Sequence, residues 1–199
     1  MNILTDALPG ALEIDGKLYK INTDFRAGIE FEILIQGGCH DTRLLFPFFP
    51  DGLPSDVSLE KIVDAIELYY CCGALPEKKS TPKSKKQGYS FAVDASAIFA
   101  DFWNFYNIDL SQEGLHWWAF RSLLEGLPEK SEFKQRIYYR TCDTKGMTKK
   151  EKERIAKIRA SIEIKSKDSG TLTLEERNAK MKAYVQKRSK EVQEVKDNG

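Results

Sequence analysis

Along residues 58–70 the apolar side chains return at steps of three and four: Leu59, Ile62, Val63, Ile66, Tyr69 and Tyr70. That spacing gathers them on one stripe of an α-helix and scatters them over both faces of a strand, so the segment is committed to a helix with one buried side. Ser58 stands where an N-cap belongs and Gly73 where the helix should stop. The same logic recurs along the chain. Phe25, Ile29 and Ile33 follow a cap at Thr23 or Asp24, and their shared face is expected in the core. After Asp94 as a cap, Ile98, Phe99, Phe102, Trp103, Phe105 and Tyr106 ring most of a helix, which then needs cover on several sides. Ser111 is read as opening a further helix with Leu115, Trp117, Trp118, Phe120, Leu123 and Leu124. Gly126-Leu127-Pro128 closes it, and a last body helix runs from Glu129 to about Tyr139.

The exceptions are as legible. Leu12–Ile14 and Leu18–Ile21 flank Asp15-Gly16, a pair that tolerates positive φ and suits a tight hairpin. Residues 37–57 hold Gly37, Gly38, Pro47, Pro50, Gly52 and Pro54, which predicts a packed loop with at most one short turn of helix at Leu44–Phe49. Residues 76–88 have no apolar side chain and five lysines, so they offer nothing to offset the entropy of ordering and read as a mobile loop. The expected fold is mainly α, a helical body over 1–146 with a small N-terminal β-hairpin.

Residues 147–199 differ in kind. Two capping boxes, Thr148 with Glu151 and Thr173 with Glu176, announce a pair of charged helices. The first carries a narrow stripe of Ile155, Ile158 and Ile162; the second, at about 174–195, a looser one of Met181, Val185, Val192 and Val195. The formal net charge is +1, yet residues 1–75 carry −7 and residues 147–199 carry +6. Such polarity favours charged partners or self-association.

Little here announces chemistry. Phosphate-cradling loops, the nucleophile elbow and the zinc-protease signature are absent, and two histidines, His40 and His116, make a thin acid–base repertoire, so a non-enzymatic role is expected. Cys39, Cys71, Cys72 and Cys142 lack both a disulfide-framework spacing and a zinc knuckle; they read as reduced, small hydrophobes, with no cofactor or metal implied. The lysine run has Tyr89 and Phe91 on one side only, where a single-strand binder would interleave them, which argues against nucleic acid. No apolar run approaches the roughly 18 residues of a membrane span, and the N-terminus has no signal-peptide pattern, so a cytosolic protein is expected. His116-Trp117-Trp118 stands out: neighbours on a helix diverge by about 100°, so burying both indoles needs cover from two directions, and one of them is a candidate partner anchor.

The motifs Asn2–Asp6, Glu13–Lys17, Asn22–Arg26, Tyr106–Leu110, Leu115–Trp118 with Phe120 and Arg121, Leu123–Leu127, and Arg140–Asp143 before a basic helix resemble the bacteriophage gene-product-fifteen family over roughly 1–160. The charged helix at about 174–195 extends past that portion. The resemblance implies a tail-module protein encoded just before the tape-measure gene, where tail assembly chaperones keep the tape-measure protein soluble until the tail tube polymerises around it. It brings no catalytic residue or cofactor. The expected partner is the tape-measure protein in the bacterial host cytoplasm, with Trp117, Trp118, Arg121, Ile155, Ile158 and Ile162 as candidate contacts. A structural tail or connector protein forming a homo-oligomeric ring is the alternative.

Overall fold

The computed structural model describes residues 2–74 and 87–164, with Ala179 and Ala183 beyond them, both helical and exposed. The expected mobile loop, save Gln87 and Gly88, and the second charged helix, save those two alanines, lie outside the described residues. The fold is mainly α: six helices and one two-stranded antiparallel hairpin among the described residues. They group into two compact units, residues 2–74 with 115–118, and residues 87–114 with 119–164.

In the first unit, β1 (Ala11–Ile14) pairs with β2 (Lys17–Lys20) in the register Leu12 opposite Tyr19 and Ile14 opposite Lys17. Asp15 and Gly16 sit at φ 53° and 75°, the twin positive angles of a tight hairpin turn. Leu12 and Ile14 point inward and are buried, and β1 packs on α2 (Leu59–Tyr70). Helix α1 (Phe25–Gln36) starts at Asp24, whose carboxylate accepts from the Arg26 amide. The loop 37–57 is packed as expected: a 3-10 turn at Thr42–Leu45 delivers Leu44 and Leu45 to the core, and Phe48 and Phe49 follow. The rings of Phe31, Phe48, Tyr69 and Tyr70 meet edge-on or tilted at 4.9–5.8 Å between centroids.

The buried stripe of α1 is not the expected one. It runs through Phe25, Gly28, Phe31, Glu32 and Ile35, while Ile29 is half-buried and Ile33 is exposed. A step of four repeated twice drifts about 80° around a helix, whereas alternating three and four stays in line.

In the second unit, α3 (Phe91–Tyr106) and α5 (Glu132–Thr141) pack together with α6 (Lys149–Ser161), which carries the expected capping box between Thr148 and Glu151. Phe102 and Phe120 stack at 5.1 Å, with Phe91, Leu124, Leu127 and Phe133 buried in the same unit. Helix α3 begins at Phe91 after Ser90, earlier than the expected cap at Asp94. That carboxylate instead reaches back to accept the Ser90 amide at 3.0 Å. Helix α5 departs the other way, opening later than expected at Glu132, behind Ser131, and not at Glu129.

Candidate functional site

Helix α4 (Trp117–Glu125) starts six residues later than the sequence suggested. Asp109 turns the chain at Ser111 by accepting its amide. The backbone of 115–117 is then taken up elsewhere: the Phe25 amide donates to the Leu115 carbonyl and the Trp117 amide to the Thr23 carbonyl, each at 2.8 Å. A residue whose backbone groups bond across to another segment cannot also feed a helical ladder, so the helix begins only at Trp117. The two indoles belong to the first unit, and the chain from Ala119 belongs to the second.

Both indoles finish α2. Trp118 Nε1 donates to the Tyr69 carbonyl at 2.8 Å and Trp117 Nε1 to the Tyr70 carbonyl at 3.0 Å. A buried indole needs an acceptor, and carbonyls of the last turn of a helix have a lone pair to give; the Tyr69 carbonyl takes the Cys72 amide at 3.0 Å as well. The cover from two directions demanded by adjacent tryptophans is thus supplied. Trp117 stacks on Tyr70 at 5.1 Å and lies flat against α1 at Gly28, where an added Cβ would fall 2.2 Å from the indole ring. Trp118 reaches Gly73, which holds φ +80° just past the end of α2.

His116 ties this cluster to the N-terminal segment. Its Nδ1 accepts the Trp118 amide at 3.1 Å, which places the proton on Nε2, 3.1 Å from the Pro9 carbonyl and 3.4 Å from the Tyr69 hydroxyl. Burial disfavours the imidazolium and moves the His116 pKa below its ordinary value, outweighing the Pro9 carbonyl, which would favour the charge. Burial pushes the Tyr69 hydroxyl up, above the ordinary phenol range.

Beside Trp118 lies an apolar pocket of about 200 Å³, walled by Pro9, Ala11, Leu12, Leu68, Tyr69 and Trp118, with Glu13 among its lining residues. An apolar cavity of about 150 Å³ takes a benzene molecule, so this one has room for a leucine or phenylalanine side chain. Leu68 is 45% exposed.

The other candidate contacts lie in the second unit. Arg121 pairs with Glu125 at 2.7 Å, one turn along α4. Ile155 is buried, and Ile158 and Ile162 are half-buried. Helix α6 is fastened by Arg159, which donates to the carbonyls of Tyr139 and Cys142, and by Arg140, which donates to the Ile162 carbonyl. Trp117, of the two indoles, is fully buried; Trp118 is the one that lines a pocket. Among the described residues no three His, Cys, Asp or Glu side chains gather as metal ligands, and the four thiols are half-buried. Among those residues, too, no helix is long and apolar enough to cross a membrane.

Gly28 and the pocket were missed by the sequence reading. A glycine in mid-helix costs up to about 1 kcal/mol against alanine, and that cost was the available signal of a close approach. The pocket carried no such signal, because Pro9, Leu68 and Trp118 come from three separate segments.

The sequence model of the family described as "Bacteriophage Gp15 protein" matches residues 4–164. The chain belongs to that family. The match covers the hairpin, the paired indoles, the pocket walls and all six helices described above. Membership in the Gp15 family points to a structural or assembly protein of a phage. Comparisons with curated proteins and with solved structures gave no match.

Proposed function

We propose that this Gp15 protein is a tail assembly chaperone that binds the tape-measure protein and keeps it soluble in the host cytoplasm, and that it has no catalytic activity. The observation that carries the reading is the apolar pocket beside Trp118. Its walls come from three directions, the hairpin, α2 and the Trp118 that His116 ties to Pro9, so an open apolar hollow stands preformed at the surface. A single bulky aliphatic or aromatic side chain fills it, which is how an amphipathic helix anchors on a helical receptor. Glu13 lines the pocket, and residues 1–75 carry −7. The preferred helix therefore presents its apolar anchor with basic neighbours.

On α6 Ile155 is buried within its own unit, while Ile158 and Ile162 are half-buried. The docking contact to test is the pocket wall formed by Trp118 and Leu68. Co-expression with the tape-measure protein of the same phage tests the reading. Wild-type chain should hold that protein in the soluble fraction, and Leu68→Lys, a change at a side chain already half in water, should lose that ability while its melting curve stays in place. Unchanged tape-measure solubility with the wild-type chain would remove the chaperone assignment.

A further inference from the structure

The pocket beside Trp118 has a claimant in the chain itself. Leu174, Met181, Val185 and Val192 recur so that, on the helix that the Thr173 cap predicts, they fall on one line. At 100° per residue all four lie within about 20° of the point opposite Ala183. Ala179 and Ala183 are the described residues of this stretch, and both are helical, exposed and grouped with the first unit, which also holds the pocket. The alanine side faces water, and the apolar line is registered on the side away from it. Charge selects the same pair. Residues 177–190 contain Arg177, Lys180, Lys182, Lys187, Arg188 and Lys190 and no acid, whereas residues 1–75 carry −7. Glu13 is among the lining residues of the pocket, and Asp64 stands one turn before Leu68 on the exposed side of α2. The other basic helix, α6, is already engaged, because its Ile155 is buried in the second unit.

We propose that residues 174–195 dock on the pocket of their own chain, with Met181 in the seat and Val185 against Leu68, and that an incoming tape-measure helix must displace them. The displacement rests on the proposed chaperone function; the docking rests only on the pocket and the segment. Methionine is unbranched and fills irregular apolar space, which suits an open hollow of about 200 Å³. The basic side chains beside the line meet the acidic rim and set the helix along it. Tethering supplies the rest. At an effective concentration on the order of 1 mM, a contact with a Kd of about 100 μM leaves roughly one pocket in ten open. Such a cover hides an apolar hollow from other chains and yields to a ligand that binds more tightly.

Titration of the full-length protein with a fluorescein-labelled peptide of residues 172–196, read by anisotropy, tests this. Met181→Asp combined with Val185→Asp in the protein should free the pocket and tighten peptide binding about tenfold over wild type, the factor set by the tether, while the melting curve stays in place. Ala179→Glu with Ala183→Glu makes the same change of charge on the opposite side of the helix and should bind the peptide as weakly as wild type. Adding Leu68→Lys to the Met181 and Val185 variant should abolish binding. Wild-type affinity equal to that of the Met181 and Val185 variant overturns the proposal, as does an alanine pair that frees the pocket equally or peptide binding that survives Leu68→Lys. A wild-type chain whose sedimentation grows with concentration, where the Met181 and Val185 variant does not, overturns it in favour of docking on a neighbouring copy. The titration contains no tape-measure protein, so its outcome is separate from that of the solubility test.

Discussion

Where α2 ends in the first unit, two indoles take its last carbonyls; where α5 begins in the second, the buried Asp101 takes its first amides. Both supply hydrogen-bond partners to backbone groups at a helix end hidden from water. The donors in the first unit are neutral and bring large apolar rings with them, so satisfying the carbonyls and filling the core are one event. The acceptor in the second unit is a carboxylate that brings charge. It sits on the same face of α3 as Asp94, seven residues away, and Asp94 must in turn be matched by Arg140 and Arg136. The first unit thus rests on shape and the second on compensated charge.

The sharpest way to break this contrast is to remove one member of the buried pair. Burial works to raise the Asp94 pKa, but hydrogen bonds from Arg140, the Ser90 amide and Arg136 prevail and hold it below the usual carboxylate range. Asp94→Ala leaves the Arg140 guanidinium buried without its counter-charge. A loss of about 3–5 kcal/mol is expected, read from urea unfolding. Trp117→Ala in the first unit should cost a similar amount, about 3–5 kcal/mol, by emptying a packed site and removing the indole donor from the Tyr70 carbonyl. The two differ in rescue. Replacing Asp94 and Arg140 together by apolar residues should recover much of the loss, since a buried pair is often replaceable, and no second change of that kind refills the indole site. Should Asp94→Ala cost less than about 1 kcal/mol, compensated charge does not hold the second unit.

Gly28→Ala gives a smaller effect of opposite sign to intuition. In a helix interior the change gains up to about 1 kcal/mol. Here the new methyl would meet Trp117 ring carbons at 2.2–2.6 Å, and overpacking costs about 1–3 kcal/mol, so net destabilisation is expected. Combining Gly28→Ala with Trp117→Leu should be less harmful than the sum of the two, because the smaller side chain clears the space. Additive losses would mean that the close approach does not set the helix packing.

Much of this was written in local pattern. The α2 stripe, the Asp15-Gly16 turn and the Thr148 capping box each depend on residues within one or two helical turns, and each appears as the sequence suggested. The departures share one cause. Helix α4 starts late because the 115–117 backbone bonds to 23–25, α3 starts early because Asp94 folds back onto Ser90, and Ile33 faces water because Gly28 gives the inner face to a tryptophan from about ninety positions away. Tertiary partners outrank local propensity at those points. Adjacent tryptophans on a helix need cover from two sides by geometry alone, yet nothing in the sequence says that α2 provides the acceptors for both.

The smallest expected effect is a dependence on pH confined to the first unit. His116 accepts the Trp118 amide at Nδ1, so the folded state holds it neutral, with a pKa below the ordinary 6.5. Between that ordinary value and the lower folded one, the unfolded chain binds the proton and the folded chain does not. Stability is therefore fully present above about pH 6.5 and declines as the pH falls towards the folded pKa, by at most about 1.4 kcal/mol per pH unit for one proton. Unfolding midpoints at pH 7.5 and 5.5 should differ in that direction. The proposed occupant of the pocket adds a second reading, since Pro9 and Trp118, both bonded to His116, are two of its walls. Acid should loosen the pocket and weaken tape-measure binding along with stability. His116→Asn places a neutral acceptor near the Trp118 amide, and it should flatten both slopes while leaving the second unit as it was. If the slope between pH 7.5 and 5.5 persists unchanged in His116→Asn, the titrating group is another one, and the histidine serves the first unit by its shape alone.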